Sequence, residues 1–246
     1  MRRALIALLV LPLLAMAAPA HAVDKPLAGK VIVVDPGHQL GNSNPKFRKQ
    51  MAQTRFNGSI VKGCNTTGTA TNAGLPEATF TWKVAKRLKS LLEAQGATVL
   101  LTRTSNTRDS YGPCVWDRAG FANSHKADAM ISIHADGAPA SAHGFFAIAP
   151  TRIKGWTTDI YKVDRRLSKA MIAGMESAGA TPANYITNQL QIRADQSTIN
   201  FSKVPTTIIE VGNMRNAKDA ARMSSAAGQQ QYAQWLAAGI KRFFSR

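Results

Sequence analysis

Apolar residues along this chain fall into short unbroken runs that alternate with stretches of helical spacing. Residues 30–34 hold Val31, Ile32, Val33 and Val34 without a polar break, as in a strand covered on both faces. Asp35-Pro36-Gly37 is expected to stop it. Pro76 suits the first position of a helix. Phe80, Val84, Leu88 and Leu91 continue it at helical spacing, and Gly96 closes it. Residues 97–102 read as a second strand, 113–124 as a short helix, and 129–133 and 144–149 as two more strands. Residues 159–178 predict a long helix with Ile160, Val163, Leu167, Met171 and Met175 on one stripe. Residues 189–193 and 204–211 predict strands, the second restricted at its start by Pro205. The terminal helix, 229–244, turns Tyr232, Leu236, Ile240 and Phe243 inward.

Strands alternating with helices define an α/β domain with helices on both faces of a sheet. No internal repeat or long linker divides it, so residues 23–246 are expected to form one domain. The segment 39–75 is rich in Asn, Gly, Thr and Ser and shows little periodicity. A loop of that length in a compact domain is usually functional or disordered.

The amino terminus changes the expected compartment. Arg2 and Arg3, an apolar stretch from Ala4 to Ala18 and a closing Ala20-His21-Ala22 have the layout of an export signal. A membrane anchor is the competing reading, and the apolar run is short for one. Cleavage after Ala22 lowers the formal charge of +17 by two. A strongly basic exported protein suits a polyanionic surface, though a basic surface without a specific partner accounts for the same charge. The two cysteines, Cys64 and Cys114, are expected to pair outside the cytoplasm. Metal ligation by their thiolates is the alternative, weakened because no further cysteine completes a set.

Chemistry-bearing residues collect at the predicted strand ends. His38 follows the first strand, His134 ends the third, Glu210 lies in the late strand, and Glu77 sits in the first turn of the first helix. In α/β folds this is the edge where ligands bind. Two His and one Glu form a known zinc set that leaves a position for water. His38, Glu77 and His134 are its natural members, leaving Glu210 as a general base. Each has a plainer explanation: a structural hydrogen bond for either His, a helix-dipole complement for Glu77, a salt bridge for Glu210. Asp35 and Asp136 are either hydrogen-bond partners that fix an imidazole tautomer or turn residues. His125 and His143 are expected to be structural or exposed, and His21 belongs to the signal segment.

Taken in order, these segments resemble the zinc-dependent N-acetylmuramoyl-L-alanine amidases of the amidase type 3 family. The matching blocks are Val33-Val34-Asp35-Pro36-Gly37-His38, Leu75-Pro76-Glu77-Ala78, Leu101-Thr102-Arg103, Arg118-Ala119 with Ala122-Asn123, the segment from Ala127 to Ala135, and Val204 to Glu210. The resemblance implies a mixed, mainly parallel sheet, one zinc ion on His38, Glu77 and His134, and Glu210 as acid/base. It implies hydrolysis of the amide between N-acetylmuramic acid and L-alanine. Peptidoglycan or its fragments are then the expected partner of a monomer without nucleic acid or a stable membrane anchor. The chain departs from the family at Gln39-Leu40, at Asp136, in the late run Glu210-Val211-Gly212-Asn213-Met214-Arg215-Asn216, and in the length of the loop that carries Cys64. These departures bear on substrate preference, and no substrate contact is assigned. A wall-binding protein that has lost catalysis, or a different zinc hydrolase such as a carboxypeptidase or deacetylase, are the alternatives.

Overall fold

A computed structural model describes residues 25–245, so the expected signal segment, 1–22, lies outside the described residues. In chain order the elements are β1 (Val31–Pro36), the one-turn α1 (Arg48–Met51), β2 (Thr54–Phe56), β3 (Val61–Gly63), α2 (Glu77–Ala94), β4 (Thr98–Leu101) and α3 (Val115–Ser124). They continue with β5 (Ala129–Asp136), β6 (Phe146–Pro150), α4 (Tyr161–Ser177), β7 (Leu190–Arg193) and α5 (Ser197–Asn200). The chain closes with β8 (Thr206–Asn213), α6 (Ala217–Ser224) and α7 (Ala226–Phe244).

The main sheet has six strands in the order β4-β1-β5-β8-β6-β7. Strands β4, β1, β5 and β8 run parallel, β6 is antiparallel to β8, and β7 runs parallel to β6. Side chains alternate across each strand. Ile32, Val34, Ile131, Ile133, Ile209 and Val211 therefore face one side, where they pack with α2, α4 and α7 in the largest core. Val33 and Met130 face the other side against α3, and Ile208, Phe146 and Ile148 meet Ile199 of α5. One face is thus sealed by three long helices. The other carries only two short ones, which leaves room for a site.

Several boundaries differ from the expectation. Strand β1 continues through Asp35 and Pro36, because Pro36 pairs with Ile133 and the Gly37 amide donates to the Ile133 carbonyl. Pro36 lacks a donor, but at the strand end it needs none. Pro76 is the N-cap and Glu77 opens α2; the buried fourth position of the stripe is Leu92 rather than Leu91. In α4, Leu167, Met171 and Met175 are buried as expected, but Asp164 is fully buried while Val163 is only partly so. The loop 39–75 contains a β2–β3 hairpin and short helical turns. Helix α6 was not anticipated, although Asn216, which accepts from the amides of Lys218 and Asp219, is a standard N-cap.

Cys64 and Cys114 form a disulfide, closing a sequence separation of 50. It ties the long loop to the start of α3, reinforced by bonds from the Val115 amide to the Cys64 carbonyl and from Asn65 to the Pro113 carbonyl. Replacing both cysteines by alanine is expected to lower the unfolding free energy by about 4 kcal/mol, read from urea denaturation. A loss under about 1 kcal/mol would show that the loop is held without the bond.

Asp164 sets a second expectation. Its Oδ1 accepts from the Thr206 amide, its Oδ2 is buried without a partner, and burial pushes the carboxyl up to about 8. The unfolded value is about 3.9, so between those limits the folded protein holds one more proton than the unfolded chain. This group's contribution to stability therefore falls as pH rises from about 4 to about 8 and is level above. Asp164→Asn removes that slope: relative to wild type, the variant should gain stability steadily over the same interval. A pH-independent difference between the two denaturation series would contradict the assignment.

Candidate metal centre

The strand alternation that builds the core also aims the site. His134 is the β5 residue between Ile133 and Ala135, so it points away from the three-helix face. Across the parallel ladder its partner is Glu210, which points to the same side. Glu77 reaches them from the first turn of α2, and His38 from the segment after β1. The expected convergence is present: His38 Nε2 and His134 Nδ1 each lie 3.0 Å from Glu77 Oε1 and 3.1 Å from each other.

Each group is held in place. His38 Nδ1 donates to the Thr66 carbonyl at 3.0 Å, which leaves Nε2 with its lone pair facing the cluster. Its backbone has φ of 60°, an unusual value for a residue with a side chain. Two buried arginines hold it there. Arg118 donates to the carbonyls of Pro36 and His38, and Arg103 to those of Pro36, Gly37 and Ala78. Arg118 also pairs with buried Asp35 at 2.6 Å, while Ser132 and Thr102 donate to the same carboxylate. Burial opposes ionisation of Asp35, but Arg118 and the two hydroxyls hold its carboxyl below the usual range. Burial next to Arg118 pushes Arg103 down to about 9, with Asp35 acting in the opposite sense.

Glu77 is buried and accepts from the amides of Ala135 and Thr69. Burial disfavours its charge, but His38 and His134 outweigh that and hold the carboxyl far below its ordinary value. Glu210 is in the opposite condition. Burial, then the charges of Glu77 and Asp136, push it well above the ordinary value, with Arg193 only partly compensating. Its Oε2 is buried without a hydrogen-bond partner. Two glycines provide clearance. A Cβ on Gly37 would lie 2.4 Å from the His134 ring, and one on Gly68 would lie 2.7 Å from Glu77 Oε2.

Around these groups is a cavity of about 370 Å³, lined also by Lys62, Thr69, Gly137 and Thr198. The other sequence candidates lie apart from the cluster. Asp35 fixes no imidazole; it neutralises Arg118. Asp136 borders the cavity but accepts from the Tyr185 hydroxyl at 2.9 Å rather than from a histidine. His125 is exposed and its Nδ1 meets the Phe121 carbonyl, and His143 lies outside the cavity lining. Sequence reading gave no role to Arg103, Arg118 or Thr66, although both arginines stood in the resembling blocks.

The donor set fits a zinc ion. Ligands on one tetrahedral zinc at about 2.0–2.1 Å lie roughly 3.3–3.4 Å apart, a few tenths more than the spacing here. Two imidazole nitrogens and a carboxylate oxygen in mutual contact repel unless a proton or cation lies between them. Only these three residues form such a group among the described residues.

Three such donors on the open side of a mixed α/β sheet are an arrangement able to hold a metal ion where ligands bind in this kind of fold. The chain belongs to the N-acetylmuramoyl-L-alanine amidase family, which matches residues 32–242. It is 35% identical to an N-acetylmuramoyl-L-alanine amidase of Mycobacterium tuberculosis over 92% of this chain and 91% of that one. The crystal structure of the amidase Ami1 from Mycobacterium smegmatis superposes with a TM-score of 0.81 at 32% identity, covering 89% of this chain and 98% of that one. The apo form of Ami1 from Mycobacterium abscessus gives the same TM-score at 35% identity over 88% and 99% of the two chains. The single α/β domain and mainly parallel sheet of these neighbours agree with the fold described above.

Gly37→Ala is expected to leave the fold intact and displace His134. Bound zinc should weaken by ten- to a hundredfold, measured by competition with a chromophoric chelator. Unchanged affinity would show that the ring tolerates the added methyl.

Proposed function

We propose that this chain is an exported, zinc-dependent amidase that cleaves peptidoglycan or its fragments between N-acetylmuramic acid and L-alanine. The observation that carries the reading is the mutual contact of His38 Nε2, His134 Nδ1 and Glu77 Oε1 beside the unpartnered Oε2 of Glu210. Family membership supplies the bond that is cut. The layout of residues 1–22 supports export, and no described helix is long and apolar enough to cross a membrane.

His38, Glu77 and His134 would hold the ion, which when bound polarises the scissile carbonyl and acidifies water. Thr66 keeps the proton of His38 on Nδ1, away from the donor face. The amides of Ala135 and Thr69 keep Glu77 oriented while it carries charge. Glu210 moves the proton. Its carboxylate takes one from the attacking water as the oxygen adds to the carbonyl carbon, then delivers it to the alanine nitrogen as the C–N bond breaks. A carboxyl whose affinity for a proton is raised by burial and by Glu77 suits both halves of that cycle. The products are the muramic acid carboxylate and a peptide with a free L-alanine amine.

The wall-binding alternative makes no use of a Glu210 carboxylate oxygen that is buried without a partner. Purified protein should contain one zinc per chain and release peptides beginning with L-alanine from digested wall, with chelation abolishing the release. Glu210→Ala should retain zinc and fold while kcat falls at least a hundredfold. Released acetate or terminal D-alanine, identified by mass, would assign a different hydrolase. Undiminished turnover in the variant would remove Glu210 from the mechanism.

A further inference from the structure

Next to the metal cavity lies a second one of about 580 Å³, and Thr69 and Gly137 line both. The two differ in charge. The first is bordered by Glu77, Asp136 and Glu210, with Lys62 as its one cation. The second has no acid in its lining and carries two guanidinium groups, Arg108 and Arg215. Both arginines are exposed, and neither has an ion-pair partner among the described residues. Arg215 is steadied through Nη1 by the Asn72 side chain at 3.0 Å, which leaves its remaining donors free. Its position is fixed at the root as well, because the Arg215 amide donates to the buried Asn213 side chain. The segment of Arg108 is pinned in turn: its carbonyl accepts from Asn44 Nδ2 at 2.8 Å, and Gln39 bonds Ser110.

We infer that this second cavity is a carboxylate subsite, in which Arg215 and Arg108 bind the free α-carboxylate of the residue that follows L-alanine in the stem peptide. The inference rests on the amidase reading above. With the scissile carbonyl at the metal centre, the chain advances at most about 3.3–3.6 Å per residue. Thr69 and Gly137 line both cavities, so a stem peptide leaving the first has the second as its neighbour. The acids of the first cavity repel a carboxylate, and the guanidinium groups of the second accept it in charge-assisted hydrogen bonds. The neutral glycan offers such a pair acceptors but no charge. Amidation of that carboxylate would remove the charge while keeping the shape, so the subsite distinguishes amidated from unamidated wall.

The test uses two muramoyl tripeptides identical except that the glutamate α-carboxyl is free in one and a carboxamide in the other. Wild-type enzyme is expected to favour the acid by about tenfold in kcat/KM, chiefly through KM. The double variant Arg108→Gln, Arg215→Gln should bring the ratio close to one. Lys169→Gln, on α4 and outside both cavities, should keep the wild-type ratio. A wild type without preference, a double variant that retains it, or equal loss in Lys169→Gln would each overturn the subsite. Titration of L-alanyl-γ-D-glutamate and its α-amide into the same proteins reads the preference without turnover. If neither tripeptide is cleaved, the amidase reading fails, and the titration still decides the subsite by the same ratio.

Discussion

The carbonyls of Pro36, Gly37 and His38 end on two buried guanidinium groups, and the metal centre depends on that clamp. Arg118 grips Pro36 and His38, Arg103 reaches Pro36 and Gly37, and the Thr81 hydroxyl adds a bond to Gly37. Buried carbonyls need partners, and buried cations need acceptors or counter-charges. Here each requirement meets the other. The result holds His38 in a left-handed conformation that its side chain disfavours, with Nε2 turned toward Glu77 and His134. Asp35 completes the arrangement by offsetting one of the two charges. A single carboxylate for two arginines leaves Arg103 dependent on carbonyl dipoles, in line with its weakened hold on its proton.

Strand parity supplies the rest of the geometry. In β5 and β8 the residues alternate between the three-helix core and the open face, and His134 and Glu210 share a rung on the open side. A register slip of one residue would place both among the apolar side chains of α2, α4 and α7. The flanking isoleucines therefore do more than fill the core: by demanding burial on one side, they fix where the polar pair emerges.

Those isoleucines are also why much of the site was legible from the chain. Ile131, Ile133, Ile208 and Ile209 mark buried strands, and the polar residues that interrupt or end such runs are conspicuous. Helices α2 and α7 were legible from their spacing, since Phe80, Val84 and Leu88, and Tyr232, Leu236 and Ile240, are all buried. What stayed hidden depends on partners remote in sequence. Nothing near Arg103 indicates that its acceptors are backbone carbonyls, and Thr66 meets His38 across 28 residues of irregular chain. The run of β1 past Asp35 was missed because the local turn signal is strong, whereas the bond from Gly37 to Ile133 is set by a neighbouring strand. Helix α6 was missed for lack of an apolar stripe long enough to notice, despite its Asn216 cap.

The sulfur link between Cys64 and Cys114 lies two positions before Thr66, whose carbonyl orients the His38 ring. Tethering this stretch restricts its wandering before any ion arrives. Less of the free energy of metal capture would then go into ordering protein, so the same three donors would hold an ion more tightly than on a slack loop.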